Sequence, residues 1–342
     1  MADGVGLRAR SGSSDLAERA RACAGDVSSS LVLAKALGTE LPLPGGGDTL
    51  TLWESLATLG AVDLTVARVV EPHLDAVAIL AQAGLSVPCG STWGVYAAEG
   101  GPRLHATKSV DGWTLSGTKP WCSLADRVSH ALVTAWVDDS RRGLFSVELA
   151  HPGVRPLEGA WASRGLAEVR STGIELEAVP ASPVGEPGWY LDRPGFAWGG
   201  IGVAAIWFGG AVAVGRRLRA AALQREPDQV ALAHLGAVDV ALTRARAVLI
   251  DAVGVADGPA VGRDVAALLA LRVRHVVADT VEEVLSRTAR ALGPAPLALE
   301  EEHARRVADL MLYVRQHHAE RDSVALGRAI MTDGAEGEWS WW

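Results

Sequence analysis

Apolar residues recur at helical spacing in the first 88 residues of the chain. In residues 14–38 and 51–84, leucines, valines and alanines return every three or four positions, which is the period of one face of a helix. The stretch LPLPGGGD between the two patterns is rich in glycine and proline and predicts a break. We therefore expect a mainly helical N-terminal domain over residues 1–88.

Helical spacing returns near residue 195 and continues towards the C-terminus. One pattern steps by three and four up to Leu249, and Asp228 is placed to cap its start. A second helix is predicted near 264–291, where GPAP ends it, and a third at roughly 299–330. Long helices in series predict a four-helix bundle over residues 191–342.

The part between the helical regions has a different pattern of short strand-like runs. These runs, rich in Val, Thr, Leu and aromatic residues, are WGVYAA, RLHATKSV, WTLSGTK, HALVTAWV, GLFSVEL and STGIELEAV. The dipeptide Asp111-Gly112 between two of them is the strongest hairpin signal in the chain. Residues 89–190 are therefore predicted to form an antiparallel β-barrel or sandwich. The expected fold class is α+β, mostly α.

Composition and charge exclude several classes of function. The 342 residues carry a net charge of −8, whereas a nucleic-acid surface needs a clustered excess of Lys and Arg. The three cysteines, Cys23, Cys89 and Cys122, are odd in number and lack CxxC spacing, so neither a disulfide framework nor a zinc site is expected. No secretory pattern is visible at the N-terminus, which favours a cytoplasmic protein.

One apolar stretch approaches the length of a membrane span. Residues 199–215 are uncharged, but the 17 residues contain six glycines and have no aromatic belt at either end. These features favour a buried helix over a membrane helix, and no membrane partner is expected.

Residues 111–123, DGWTLSGTKPWCS, resemble a segment of the acyl-CoA dehydrogenase family. The family's β-domain carries the pattern DGWxLNGxKxWIT, and eight residues fall on it in register: Asp111, Gly112, Trp113, Leu115, Gly117, Lys119, Trp121 and Ser123. The predicted order of helical domain, β-domain and helical bundle is also that of the family. The resemblance implies a flavin-dependent enzyme that binds FAD.

The resemblance also implies roles for particular residues at the flavin. Trp121 is expected to pack against the isoalloxazine, and the hydroxyl of Ser123 to lie near flavin N5. Glu99 aligns with the glutamate of the family's TEPxAGSD segment, although Ala98 replaces the threonine. The family's RxxFG loop, which reaches the adenosine half of FAD, is shortened to QREPDQ, with Arg225 as the candidate cation.

The expected catalytic base is replaced in this chain. In most acyl-CoA dehydrogenases a Glu in the last long helices removes the α-proton of the thioester, and the matching position here is Gln316. A glutamine cannot act as a general base. His317 or His318 is the candidate replacement, because imidazole titrates near neutral pH. The alternative is that the two histidines form a partly buried, hydrogen-bonded pair.

Three functions remain open at this point. The first is an acyl-CoA dehydrogenase-like oxidoreductase that acts on the CH–CH group of a thioester presented by CoA or an acyl carrier. The second is a catalytically silent partner subunit of a hetero-oligomeric dehydrogenase. The third is a flavin-dependent monooxygenase of the same fold. The family further implies a homo- or hetero-oligomer built through the C-terminal bundle.

Overall fold

The N-terminal part of the protein is helical, as the apolar spacing predicts. A computed structural model describes residues 4–8, 13–159 and 161–333. The first four helices are α1 (Ser14–Ala22), α2 (Val27–Glu40), α3 (Thr49–Val62) and α4 (Leu64–Gln82). Asp26 caps α2, because its Oδ2 accepts a hydrogen bond of 2.8 Å from the Ser29 amide. The predicted break lies between α2 and α3.

Seven strands follow. They are β1 (Trp93–Tyr96), β2 (Leu104–Ser109), β3 (Gly112–Lys119), β4 (His130–Trp136), β5 (Arg142–Glu148), β6 (Val154–Pro156) and β7 (Ile174–Pro183). Strands β4, β2, β3, β7 and β5 pair in that order, and β5 pairs back onto β4. The predicted barrel is therefore confirmed as a closed ring, with β1 and β6 attached to β4 and β7. It is not purely antiparallel, since β1 and β2 both pair parallel to β4.

The predicted hairpin is present, with its turn displaced by one residue. Ser109 pairs with Gly112 across β2 and β3, so Val110 and Asp111 form the two-residue turn. Gly112 is the first residue of β3 and has a φ of 122°. This left-handed backbone suits glycine, which has no Cβ to clash.

The C-terminal part contains long helices in series. They are α5 (Trp189–Asp192), α6 (Pro194–Gln224), α7 (Gln229–Ala256), α8 (Arg263–Leu292), α9 (Ala295–Leu299), α10 (Glu301–Tyr313) and α11 (Glu320–Asp333). Asp228 caps α7 as predicted, since its Oδ1 accepts a hydrogen bond of 2.8 Å from the Ala231 amide.

The prediction of one helix over 299–330 was wrong. The chain leaves the α-helix after Tyr313, forms a single 3₁₀ turn, and passes through Ala319 at a φ of 48° before α11 begins. The physical reason is local: the carboxylate of Asp322, in the first turn of α11, accepts the His318 amide at 3.0 Å and so holds the turn that leads into a new helix. His317 and His318 consequently lie in a break and not on a helix face.

Contacts group the chain into two compact units. The first comprises residues 1–21, 44–64 and 197–342, and the second comprises residues 22–43 and 65–196. Residues 1–88 are thus shared between both units, and the predicted domain boundaries at 88 and 190 stay a prediction.

Helix α6 is the apolar stretch that the sequence singles out. Residues 195–224 are long and apolar enough to cross a membrane by length and composition, but 78% of the apolar window is buried inside the protein. Within the first unit α6 packs closely on α3. A Cβ added at Gly209 would lie 1.9 Å from the Ala57 carbonyl oxygen, and one at Gly60 would lie 2.3 Å from that of Ile206. Glycine at both positions therefore lets the two backbones approach each other.

Candidate functional site

The segment that follows β3 is held in a strained backbone conformation. Trp121 and Leu124 have φ values of 58° and 57°, which cost about 1 to 2 kcal/mol each for residues other than glycine. Two hydrogen bonds of 2.8 Å maintain this conformation. The Cys122 amide donates to the Thr172 carbonyl, and the Leu124 amide donates to the Arg170 carbonyl. Strained residues of this kind cluster at functional sites.

The strained backbone exposes an indole and buries a thiol. Trp121 is 61% exposed, which is unusual for so large an aromatic side chain. Cys122, its neighbour, is buried, and burial raises the pKa of its thiol to about 12. Cys122 is therefore a structural thiol, whereas Trp121 offers a flat aromatic surface.

The hydroxyl of Ser123 sits in a chain of hydrogen bonds. Its Oγ accepts a bond of 3.0 Å from the Arg68 guanidinium and lies 2.8 Å from Ser171 Oγ. The Ser123 carbonyl also accepts a bond of 3.0 Å from the Tyr96 hydroxyl. Helix α4 supplies Arg68, which is also paired with Glu71 at 3.2 Å.

Arg68 and Ser171 are residues that sequence reasoning missed. They lie 55 and 48 positions from Ser123 along the chain. No local pattern marks either one, because a lone arginine on a helix resembles any solvated position.

Glu99 is engaged in an ionic cluster of the β-domain. Its Oε1 accepts hydrogen bonds from Lys119 Nζ at 2.8 Å and Thr134 Oγ1 at 3.1 Å, and Arg142 lies 3.1 Å away. Burial acts to raise the pKa of Glu99, but the bond and charge of Lys119, with Arg142, outweigh it and lower that pKa. Burial in turn lowers the pKa of Lys119, against the opposing effect of Glu99. The predicted cofactor role of Glu99 would therefore have to use a carboxylate that already has three partners.

The remaining predicted site residues belong to the first unit. Arg225 is exposed and follows the end of α6 in a four-residue connection, 225–228, to α7. Gln316 ends the 3₁₀ turn with its side chain exposed, and its carbonyl accepts a bond of 2.9 Å from Arg274. Neither position carries a carboxylate that could serve as a base.

His317 and His318 differ in their surroundings. His318 is exposed, and its Nδ1 lies 3.3 Å from Asp322 Oδ1. His317 is buried, its Nδ1 accepts a bond of 3.3 Å from the Ala319 amide, and its ring packs edge-on against His275. Its Nε2 hydrogen-bonds to no other described residue and lies 3.7 Å from Asp322.

Burial lowers the pKa of His317, and Arg274 and His275 add to this effect while Asp322 opposes it. The imidazole is therefore neutral at neutral pH, and because Nδ1 accepts the Ala319 amide, the ring proton lies on Nε2. Of the two predicted candidates, His317 is the one whose ring nitrogen is both buried and unused by the described residues.

Buried histidines give the stability of the protein a defined pH dependence. Burial, with Lys35, lowers the pKa of His73 from 6.5 to about 4, and burial also lowers the pKa of His303 and of His317. Below pH 6.5 the unfolded chain binds protons that the folded chain does not. The free energy of unfolding therefore decreases as the pH is lowered. For His73 the loss continues to about pH 4.

Urea unfolding at a series of pH values measures this loss. His73→Gln should flatten the part of the profile between pH 6.5 and about 4, since glutamine does not titrate. His105→Gln replaces an exposed histidine of β2 and serves as the control, which should leave the profile unchanged. An unchanged profile in His73→Gln would contradict the assignment.

No metal centre is apparent in the described residues. Within residues 4–8, 13–159 and 161–333, no group of three or more His, Cys, Asp or Glu side chains is arranged to hold a metal ion.

Comparison with known proteins identifies the fold. No protein-family model matches the chain. A curated relative named as a candidate acyl-CoA dehydrogenase, YdbM of Bacillus subtilis (strain 168), is 28% identical over 81 residues, or 23% of this chain. The match spans about a fifth, 21%, of that relative's length.

Solved structures are similar over nearly the whole chain. FMN-bound TdsC from Paenibacillus sp. A11-2, a dibenzothiophene monooxygenase, aligns with a TM-score of 0.77 and 17% identity over 93% of this chain and 96% of its own. KijD3 in complex with FMN and a dTDP-amino-keto sugar aligns with a TM-score of 0.77 and 18% identity, over 93% and 91%. Butyryl-CoA dehydrogenase from Megasphaera elsdenii aligns with a TM-score of 0.79 and 19% identity over 92% of both chains. The chain has the acyl-CoA dehydrogenase-like fold.

Proposed function

We propose that the protein is a flavin-dependent oxidoreductase that binds the isoalloxazine ring at Trp121 and Ser123. The observation that carries the proposal is the exposed indole of Trp121, which a strained backbone holds beside a hydroxyl. A planar, polarizable ring would cover the indole and hydrogen-bond to the hydroxyl. A bound flavin supplies hydride and electron transfer and, with O₂, oxygen-transfer chemistry.

The residues present fit the isoalloxazine end of a flavin better than the adenosine end of FAD. Trp121 offers the stacking surface, and the Ser123 hydroxyl retains capacity for one more hydrogen bond. The connection in which Arg225 lies has only four residues, 225–228, and Arg225 is its sole cation. FMN, which lacks the adenosine half, is therefore the favoured cofactor, as in the TdsC and KijD3 complexes.

The reaction that we favour is an O₂-dependent monooxygenation of a small organic molecule. Gln316 at the position of the family's glutamate removes the base that α-proton abstraction from a thioester requires. A monooxygenase does not need that carboxylate, and the neutral His317 imidazole carries on Nε2 a proton that it could donate. TdsC is an example of this fold in a monooxygenase.

A dehydrogenase-type role is the second candidate. The motif in residues 111–123 and the similarity to butyryl-CoA dehydrogenase both favour it. In that case either His317 replaces the glutamate, or the chain is a silent subunit that needs a partner chain with a base. A silent subunit would form a mixed oligomer on co-expression with a dehydrogenase-like chain, which size-exclusion chromatography with light scattering would detect.

The test begins with the visible spectrum of the purified protein after reconstitution with FMN or FAD. A bound flavin gives the two absorption bands of a flavoprotein, and a protein that stays colourless with both would contradict the proposal. Two assays then separate the candidate reactions. Oxygen uptake and oxygenated product in the presence of a flavin reductase support a monooxygenase. Acyl-CoA-dependent reduction of an artificial electron acceptor supports a dehydrogenase instead.

Trp121→Ala should weaken flavin binding by about tenfold or more, because the stacking surface is lost. Quenching of flavin fluorescence on titration with the protein measures the dissociation constant. Trp121→Phe keeps an aromatic face and should retain most of the affinity. Because Trp121 is exposed, neither variant should lower the free energy of unfolding appreciably. Equal affinity in Trp121→Ala and the wild type would remove Trp121 from the binding site.

A further inference from the structure

The hydrogen bonds around Ser123 have a fixed direction. Ser171 Oγ donates to the Val169 carbonyl at 2.9 Å, and a hydroxyl carries a single proton. In its 2.8 Å contact with Ser123, Ser171 can therefore only accept. The proton of the Ser123 hydroxyl is directed at Ser171.

Arg68 occupies a second position on the same oxygen. Its guanidinium has only donors, so the 3.0 Å contact uses one of the two lone pairs of Ser123 Oγ. Within the described part of the chain, no third group hydrogen-bonds to this oxygen. What remains is one lone pair, so any further partner of Ser123 has to be a hydrogen-bond donor.

The surrounding structure holds the hydrogen-bonded group of Arg68, Ser123 and Ser171 in place. Ser123 is 8% exposed and lies between two residues in the left-handed conformation, Trp121 and Leu124. The Arg68 side chain is only 14% exposed and is also held by Glu71. Reversal of the chain of hydrogen bonds would require Ser171 to give up the Val169 carbonyl, which would leave a partly buried acceptor without its partner.

The state of a flavin determines whether it can bond to such an oxygen. Oxidised flavin has a bare lone pair at N5, whereas two-electron reduction, with electrons from an external reductant and a proton from solvent, places a hydrogen on N5. A hydrogen-bond acceptor at Ser123 can therefore bond to the N5 hydrogen of reduced flavin. The lone pair on N5 of oxidised flavin would instead repel it. The nearby guanidinium charge also favours the electron-rich reduced ring.

We propose that Arg68 and Ser171 are positioning residues that fix Ser123 as a hydrogen-bond acceptor and so raise the reduction potential of the bound flavin. The inference rests on the proposed flavin function and on the position near N5 that the resemblance gives to Ser123. It adds two residues from outside the 111–123 segment to the site, with a role in setting the redox equilibrium.

The test is a redox titration of the full-length protein reconstituted with FMN, equilibrated with a reference dye during stepwise reduction. Ser171→Ala frees the Ser123 proton to bond to oxidised N5, and Arg68→Met removes the cationic donor. Each should lower the equilibrium constant for reduction about tenfold, which is about 30 mV for a two-electron couple. Ser171→Thr and Arg68→Lys keep a hydroxyl and a cationic donor, and should stay close to the wild-type potential.

Two matched controls separate this role from a structural one. Glu71→Gln removes the carboxylate charge paired with Arg68 while leaving the contact of Arg68 with Ser123, and should not lower the potential. Ser163→Ala removes a hydroxyl from the same loop, where it bonds to the Gly165 carbonyl, and should also have no effect.

The outcomes distinguish the inference from the proposed function. If Ser171→Ala and Arg68→Met bind FMN at the wild-type potential, the inference is overturned while the flavin function stands. If the wild type binds no flavin, both are overturned. If one variant fails to fold, the other decides, because each alone should shift the potential.

Discussion

Gly209→Ala is expected to lose about 3 kcal/mol or more of unfolding free energy, or to prevent folding altogether. The added methyl would lie 1.9 Å from the Ala57 carbonyl oxygen of α3, and a backbone atom cannot move away as a side-chain end can. Relief would require α3 and α6 to separate along their contact, which would open gaps in the core of the first unit. Urea unfolding followed by circular dichroism measures the loss.

Gly236→Ala is the matched control for this prediction. Gly236 lies in the long helix α7, is exposed, and has nothing within 4 Å of an added Cβ. The same substitution there should stabilise the protein by up to about 1 kcal/mol, since alanine is the better helix former. If both variants changed stability by the same amount, close packing of α3 and α6 at Gly209 would not be the cause.

Glu99→Gln is expected to destabilise the protein by about 3 kcal/mol near neutral pH. The substitution leaves the Lys119 ammonium, which is 2% exposed, without its carboxylate, and loss of one partner of a buried pair typically costs 3 to 5 kcal/mol. A loss at the lower end of this range is expected because Glu99 is partly exposed and because Lys119 can lose its proton. Replacing Lys119 with methionine in the same chain should recover part of the loss.

The pH dependence of this variant gives a second readout. With its carboxylate partner removed, Lys119 has a folded-state pKa below that of the unfolded chain, where it stays near 10.4. Between the two values the unfolded chain binds the extra proton, so stability should rise with pH above neutrality. Urea unfolding at about pH 7 and about pH 9 tests this, within the range that avoids unfolded-state lysine titration.

Glu175→Gln controls for the loss of an exposed ion pair. Glu175 and its partner Arg155 are 46% and 61% exposed, so the variant should change stability by less than about 1 kcal/mol. Its stability should also not rise with pH in the way expected for Glu99→Gln. A loss in Glu99→Gln no larger than this control would show that Lys119 does not depend on Glu99.

Local patterns predicted the elements of the fold well. The spacing of apolar residues located α7 and α8, and Asp228 located the start of α7, because caps and helix faces are properties of a few neighbouring residues. The strand-like runs likewise became strands of the barrel. The three-residue β6 was missed because it is too short to show alternation.

Interactions between distant parts of the chain explain what the sequence could not predict. At the helix break, the His317 ring is buried and packs against His275, a contact that leaves the apolar period of the sequence unchanged. Arg68 and Ser171 reach Ser123 only after α4 and the loop before β7 have come together with the segment after β3. The family motif singles out Trp121 and Ser123 as proposed flavin contacts, but the partners of Ser123 are fixed by tertiary structure.

Because five strands close into a ring, residues can be inserted or deleted only at certain places in the chain. Strand β3 is paired on both sides, with β2 and β7, so inserting one residue into it would disrupt two sets of hydrogen bonds and turn its side chains to the opposite face. The connections between strands carry no such constraint. Variation in length among proteins of this fold is thus expected in the connections, while the spacing from Gly112 to Lys119 within β3 stays constant.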